Sequence, residues 1–178
     1  MSFTPVQLPV QRRHLLILGA SALALIATGC GFALRKEPNY AFSKLFSSLP
    51  ETSPLGVELR RSLRAGGKVE VITDPQRLPE AQVVLDVLAD QREKVVLSYN
   101  SSGQVRENQL RIRFRFRLRS LAGKELIPES EILQQRDVTF NETIALSKEA
   151  EEALLYRDMQ SDIVQQMLRR LAAVKSLD

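Results

Sequence analysis

Arg111-Ile112-Arg113-Phe114-Arg115-Phe116-Arg117-Leu118-Arg119 decides how the rest of the chain folds. Successive side chains of a strand point to opposite faces, so this run sends its five arginines to one side and Ile112, Phe114, Phe116 and Leu118 to the other. A helix would mix the two sets around its circumference. The alternation holds from Val105 to Leu121, giving a strand with a core side and a cationic side. Upstream, Ala81 to Tyr99 places Val83, Leu85, Val87 and Ala89 on one face; downstream, Lys124 to Phe140 follows Ala122-Gly123. Two hairpins are predicted, turning at Ser102-Gly103 and Ala122-Gly123. Strands of this length reach roughly 50 Å, well past the common strand length. The alternation slips between Asp90 and Lys94, which predicts a bulge there. Such strands are expected to project beyond the helices that cover the core, and a projecting edge needs a partner or protection.

Working outward, Tyr40 to Ser47 reads as a strand. A helix follows: Ser53 can cap it, Pro54 suits its first turn, Leu55, Leu59 and Leu63 line one face, and Gly66-Gly67 ends it. Lys68 to Ile72 reads as a second short strand, so the default connection is a parallel crossover. Asp74-Pro75 and Pro79 mark a loop. At the other end Ser147 is expected to cap a helix running to about Val174, with Leu155, Met159, Ile163, Met167, Leu171 and Val174 on one stripe against the sheet. The predicted class is α+β: a two-layer sandwich of a mixed, mostly antiparallel sheet with long strands and two helices on one face.

The N-terminal residues carry a different signal. Arg12-Arg13 precede the apolar run His14 to Gly29, which is too short to span a membrane comfortably, and small Ala27, Thr28 and Gly29 lead to Cys30, the single cysteine. This reads as a lipoprotein signal peptide over 1–29, an acylated tether over 30–39 and one domain over 40–178. The position three before the cysteine, usually Leu, is Ala27 here. Two or three acyl chains, at about 0.8 kcal/mol per buried CH₂, hold far more firmly than one. Gly31 after the cysteine, rather than aspartate, points to triacylation and sorting to the outer membrane of a Gram-negative cell.

Loss of the signal removes His14, the only histidine, and acylation uses the only thiol. Without histidine or thiolate, and with no tryptophan, the mature chain has no zinc site, thiolate nucleophile or Ser-His-Asp machinery. No paired-carboxylate or glycine-rich phosphate motif is visible, so the chain reads as a non-enzyme without cofactor or metal. The mature chain carries 23 basic and 21 acidic residues, a net of +2, so the distribution of charge matters more than its sum.

The arginine row admits two readings. Guanidinium groups roughly 7 Å apart can grip phosphates or an acidic protein wall. Alternatively, a two-residue turn at Ser102-Gly103 sets Arg115 against Asp90 and Arg119 against Asp86, with Leu118 opposite Val87. A turn of Ala122-Gly123-Lys124 sets Arg117 against Glu129 and Arg115 against Glu131, with Phe114 opposite Ile132. Cross-strand ion pairs at about 0.2–1 kcal/mol each then account for the row without a ligand. Arg111, Arg113 and nearby Arg92 are left over for a partner. Lys148 is a further candidate, because it falls in the first turn of the last helix, where a cation opposes the dipole but adjoins unpaired N–H groups able to bind a phosphate.

The lipobox, Cys30-Gly31-Phe32-Ala33-Leu34-Arg35, Pro54-Leu55 opening a helix that ends near Gly66-Gly67, three long strands, and Ala145-Leu146-Ser147-Lys148 leading into the last helix together resemble the LptE family of lipopolysaccharide-assembly lipoproteins. The resemblance spans essentially the whole mature chain. It implies a two-layer α/β fold anchored in the inner leaflet of the outer membrane. It also implies residence as a plug in the LptD β-barrel, as a 1:1 complex that delivers lipopolysaccharide to the cell surface. Basic residues near the sheet end touch lipopolysaccharide in the family, and Lys148 matches one such position; the Asn100–Arg106 loop does not clearly match a second. The five-arginine row belongs to this sequence rather than to the family pattern. Two other classes share some of these features: an accessory lipoprotein of an ABC-type lipid-transport system, and a polyanion-binding periplasmic module. Nucleic acid is not an expected partner, since export removes it and the cationic face has no aromatics for stacking.

Overall fold

The computed structural model describes residues 38–67, 69–139 and 145–177. Its elements in chain order are β1 (Lys44–Ser47), α1 (Pro54–Gly67), β2 (Glu70–Ile72), a 3-10 turn (Pro75–Glu80), β3 (Val83–Tyr99), β4 (Val105–Ser120), β5 (Glu125–Thr139) and α2 (Ala145–Ala173). The sheet order is β2-β1-β3-β4-β5; β1 is parallel to both neighbours, and the β3–β4 and β4–β5 pairs are antiparallel. The mixed, mostly antiparallel sheet with two helices therefore stands as read from the sequence.

Local chemistry explains the element ends. Ser53 Oγ accepts the Gly56 N–H at 3.3 Å, capping α1. The Asp74 carboxylate accepts the Gln76 N–H at 2.9 Å and starts the 3-10 turn where a plain loop was expected. Asn100 Oδ1 accepts the N–H groups of Ser102 and Gln104, and Gly103 takes φ 80° to close the first hairpin. The second closes at Gly123 with φ 94°. β1 and β2 are shorter than the runs Tyr40–Ser47 and Lys68–Ile72 suggested. α2 already includes Ala145, so Ser147 lies within it rather than ahead of it; the Ser147 side chain, Phe140 and Cys30 fall outside the described residues.

The even-numbered side of β4 and one stripe from each helix form the core. Leu110, Ile112, Phe114, Phe116 and Leu118 pack with Leu55, Leu59 and Leu63 of α1 and with Met159, Ile163, Met167 and Leu171 of α2. Leu155 and Val174 flank this cluster, as the stripe predicted.

Two registers depart from expectation. The bulge falls at Val87/Ala89, not between Asp90 and Lys94, with further irregularities near Val96 and Ser98. The β3–β4 turn also takes more than two residues, so Leu118 pairs with Leu85, Arg117 with Asp86 and Arg115 with Ala89. The β4–β5 register matches at Arg115–Glu131 and Phe114–Ile132, then shifts between Phe116 and Leu118 and leaves Arg117 without its expected partner Glu129. A bulge inserts one residue, and one residue exchanges the faces. Beyond Ala89, Asp90, Arg92 and Lys94 consequently lie opposite Phe114, Ile112 and Leu110, on the helix side.

That exchange also alters the expected projection of the sheet. α2 follows the strands along the helix side: Gln160 reaches Arg92, the Tyr156 hydroxyl donates to Glu93 O at 2.9 Å, and Glu152 meets Lys94 at 2.6 Å. Lys148 reaches Thr139 at the end of β5, so only the turn end of the β3–β4 hairpin extends past these contacts. The helix keeps pace because its 29 residues rise roughly 43 Å. β5 is one edge of the sheet, and Pro128, which has no N–H, breaks its run of backbone donors.

Candidate functional site

On the outer side of β4 four of the five arginines meet acids. Arg113 Nη1 lies 3.0 and 3.2 Å from the two Glu131 oxygens, Arg115 Nε is 3.6 Å from Glu129, and Arg117 and Arg119 each place Nε 2.9 Å from Asp86 Oδ2. Burial pushes the Asp86 carboxyl up, but the hydrogen bonds from Arg119 and Arg117 outweigh it and hold the group below its ordinary value. The row is an ion ladder centred on Asp86 and the Glu129/Glu131 pair. The Arg119–Asp86 pair expected from the sequence forms, but diagonally, because Arg117 rather than Arg119 stands directly opposite Asp86.

Arg111 differs. It faces Glu93 on one side and Gln135 on the other, yet its Nε donates to Gln109 Oε1 at 2.5 Å and it forms no ion pair among the described residues.

The four residues proposed from sequence for a ligand do not form one cluster. Arg111 and Arg113 share the outer face, and Arg113 is already engaged by Glu131. Arg92 sits on the opposite face: its Nη2 donates to Gln160 Oε1 at 2.8 Å and its guanidinium lies 5.5 Å from the Tyr156 ring centroid. Gln160 in turn donates to Glu58 of α1 at 3.1 Å, so Arg92 joins both helices to the sheet. Lys148 stands at the end of β5, donating from Nζ to Thr139 O at 2.6 Å and lying 3.2 Å from Glu151, with its side chain 16% exposed. The lysine thus offsets a strand-end carbonyl and a helix carboxylate.

Sequence reading missed the groove beside the bulge. Ser48 Oγ accepts the Val87 N–H at 2.8 Å, binding the β1–α1 loop to the bulge. Ser48, Leu49, Pro50, Thr52, Ser53, Pro54, Val87 and Asp90 line a groove there, and burial pushes the Asp90 carboxyl up despite Arg92 nearby. The run Val87-Leu88-Ala89, three apolar residues in sequence, was the available signal for a slip at that point. Among the described residues no group of acids, histidines or cysteines is placed to hold a metal, and no helix is long and apolar enough to cross a membrane.

Comparison with known proteins accords with this architecture. The family model described as LptE, lipopolysaccharide-assembly, matches residues 45–171, from the first core residue of β1 to the last buried leucine of α2. The chain is 28% identical over 177 residues to the LPS-assembly lipoprotein LptE of Yersinia enterocolitica, covering 94% of this chain and 80% of that protein. The solution structure of lipoprotein B from Nitrosomonas europaea superposes with a TM-score of 0.67 at 33% identity, covering 80% of this chain and 91% of that one. The crystal structure of rare lipoprotein B from Shewanella oneidensis gives 0.60 at 26% identity, covering 73% and 94%. A match running through every strand and both helices carries one conclusion: the chain belongs to the LptE lipopolysaccharide-assembly family.

Proposed function

We propose that this protein is a non-enzymatic lipoprotein of the outer membrane that assists lipopolysaccharide assembly. In this reading Cys30 carries the acyl chains in the inner leaflet, and the domain plugs an LptD β-barrel in a 1:1 complex. The observation that carries it is the family match over residues 45–171, which spans the whole sheet and both helices. The physical form agrees: strands far longer than ordinary ones offer a stiff post whose β3–β4 end exposes Val96, Leu97 and Tyr99 beside Arg106, and a barrel lumen can enclose such surface on all sides.

Lys148, Arg111, Arg113 and Arg92 are the proposed lipopolysaccharide contacts. Arg111 is the most available of them, since its guanidinium has no acid partner among the described residues and, with Nε on Gln109, keeps the edge formed by its two terminal nitrogens for a phosphate. Arg113 can take part by exchanging Glu131 for phosphate. Lys148 and Arg92 would have to surrender bonds that join α2 to the sheet.

The test is affinity isolation of the tagged, acylated protein from outer membranes. An LptD-type β-barrel recovered in equal amount supports the reading. Recovery of components of an ABC-type lipid transporter instead, or of no barrel at all, overturns it.

A further inference from the structure

The helical layer carries a second cationic surface. At 100° per residue, Val57, Arg60, Arg61 and Arg64 fall within a sector of about 100° on α1, facing away from the buried Leu55, Leu59 and Leu63. Together with Ala65 they line one shallow groove. Arg60 Nη2 donates to Glu51 O at 2.7 Å, whereas Arg61 and Arg64 are exposed and form no hydrogen bond or ion pair among the described residues. This is the reverse of the β4 row, where acids answer most of the arginines. Glu58 accepts from Gln160 and, with Asp158, lines the neighbouring groove that Arg61 also borders, but neither acid pairs with Arg61. The helix dipole favours a cation in the last turn and so explains Arg64, but not Arg61 one turn earlier.

The chain enters the domain at the same end of this helix. A Cβ on Gly66 would lie 3.7 Å from the Pro38 ring, so Pro38 packs against the C-terminal turn of α1. Only residues 31–37 separate Pro38 from Cys30, and eight residue steps reach at most roughly 29 Å. On the reading that Cys30 is acylated, the point where the chain meets the C-terminal turn of α1 stays within that tether length of the leaflet.

We propose that, while the domain is not seated in a barrel, Val57, Arg60, Arg61 and Arg64 dock on anionic phospholipid headgroups of the leaflet that holds the acyl anchor, setting the height and tilt of the domain. The short tether makes the contact intramolecular in effect, so weak individual attractions suffice. Each arginine at an anionic surface multiplies the docked population about fivefold. Val57, 39% exposed, supplies an apolar contact among the guanidinium groups.

The test uses the acylated protein with Ala65→Cys, which becomes its one reactive thiol once Cys30 is modified, labelled with a fluorophore and held in phosphatidylcholine vesicles with or without phosphatidylglycerol. A quencher attached to lipid headgroups should quench the label strongly only when phosphatidylglycerol is present, and added salt should abolish the difference. Arg61→Gln with Arg64→Gln should lower the docked-to-undocked ratio about 25-fold while leaving the unfolding midpoint unchanged. A label at Ser102→Cys, on the first hairpin turn, should not respond. Quenching that ignores phosphatidylglycerol overturns the inference. So does quenching that survives the double α1 substitution and is lost with Arg111→Gln and Arg113→Gln. Failure of acylation shows in the intact mass before vesicles are added, and failure of the barrel assignment shows in the isolation experiment, so neither is confused with failure of docking.

Discussion

The two faces of β4 are built from the same strand and held by different physics. On the helix side Leu110, Ile112, Phe114, Phe116 and Leu118 are each at most 1% exposed. On the other side Arg115 and Arg117 are exposed, and Arg111, Arg113 and Arg119 are half-buried. Burial stabilises by about 1.5–3 kcal/mol for each large apolar side chain, whereas a cross-strand ion pair contributes about 0.2–1 kcal/mol. The apolar face therefore carries the fold, and the arginine face can be rebuilt for a partner at little cost in stability.

The sharpest way to break this contrast is Phe114→Ala, which should cost about 3–5 kcal/mol by leaving a cavity in the core. A loss below about 1 kcal/mol in chemical denaturation would mean that the face is not the main support.

Asp86→Asn should be the most costly change on the arginine face, about 1–3 kcal/mol, because one partly buried carboxylate accepts from both Arg117 and Arg119. The sign with pH follows from its depressed pKa. A carboxyl held below its ordinary value stabilises the fold above the ordinary carboxylate range, and this contribution is lost as pH falls through the folded value. The variant should show a shallower acid decline in its unfolding midpoint than the wild type; parallel curves would refute the role of Asp86.

Arg113→Gln and Arg111→Gln sharpen the comparison within the row. Arg113→Gln should lose about 0.2–1 kcal/mol through its Glu131 pair, while Arg111→Gln should leave stability within about 0.5 kcal/mol of wild type. If the outer face serves lipopolysaccharide, Arg111→Gln should weaken binding in proportion more than it weakens folding. Equal affinity in a salt-matched titration would remove Arg111 from the site.

Asp90→Asn is the smallest expected effect, a stabilisation of no more than about 0.5 kcal/mol at neutral pH. Because the folded pKa of Asp90 is raised, the native state loses stability as pH rises from the unfolded toward the folded value, and asparagine escapes that loss. The gain should therefore appear in the unfolding midpoint at neutral pH and vanish in acid.

Much of the fold was legible in residues 105–121. Period-two alternation is a local property, and it set β4, both hairpins and the division of its side chains without any knowledge of neighbours. The helices were legible for the same reason, as stripes at Leu55, Leu59 and Leu63 and at Met159, Ile163, Met167 and Leu171. The candidate site was read less fully. Arg92 was placed with the cationic row, yet it lies on the helix side, because the bulge at Val87/Ala89 exchanges the faces of the rest of β3. Lys148 was read as facing a bare helix start, and it instead reaches Thr139 O and Glu151.

By itself, then, the sequence determined which segments are strand or helix and which side of each is apolar, since those depend on spacing along the chain. Only the tertiary structure decided which arginines find acids and which do not. A one-residue bulge or a slightly longer turn changes every cross-strand partner beyond it, which is how Arg117 comes to share Asp86 with Arg119 and Arg115 comes to face Ala89 instead of Asp90.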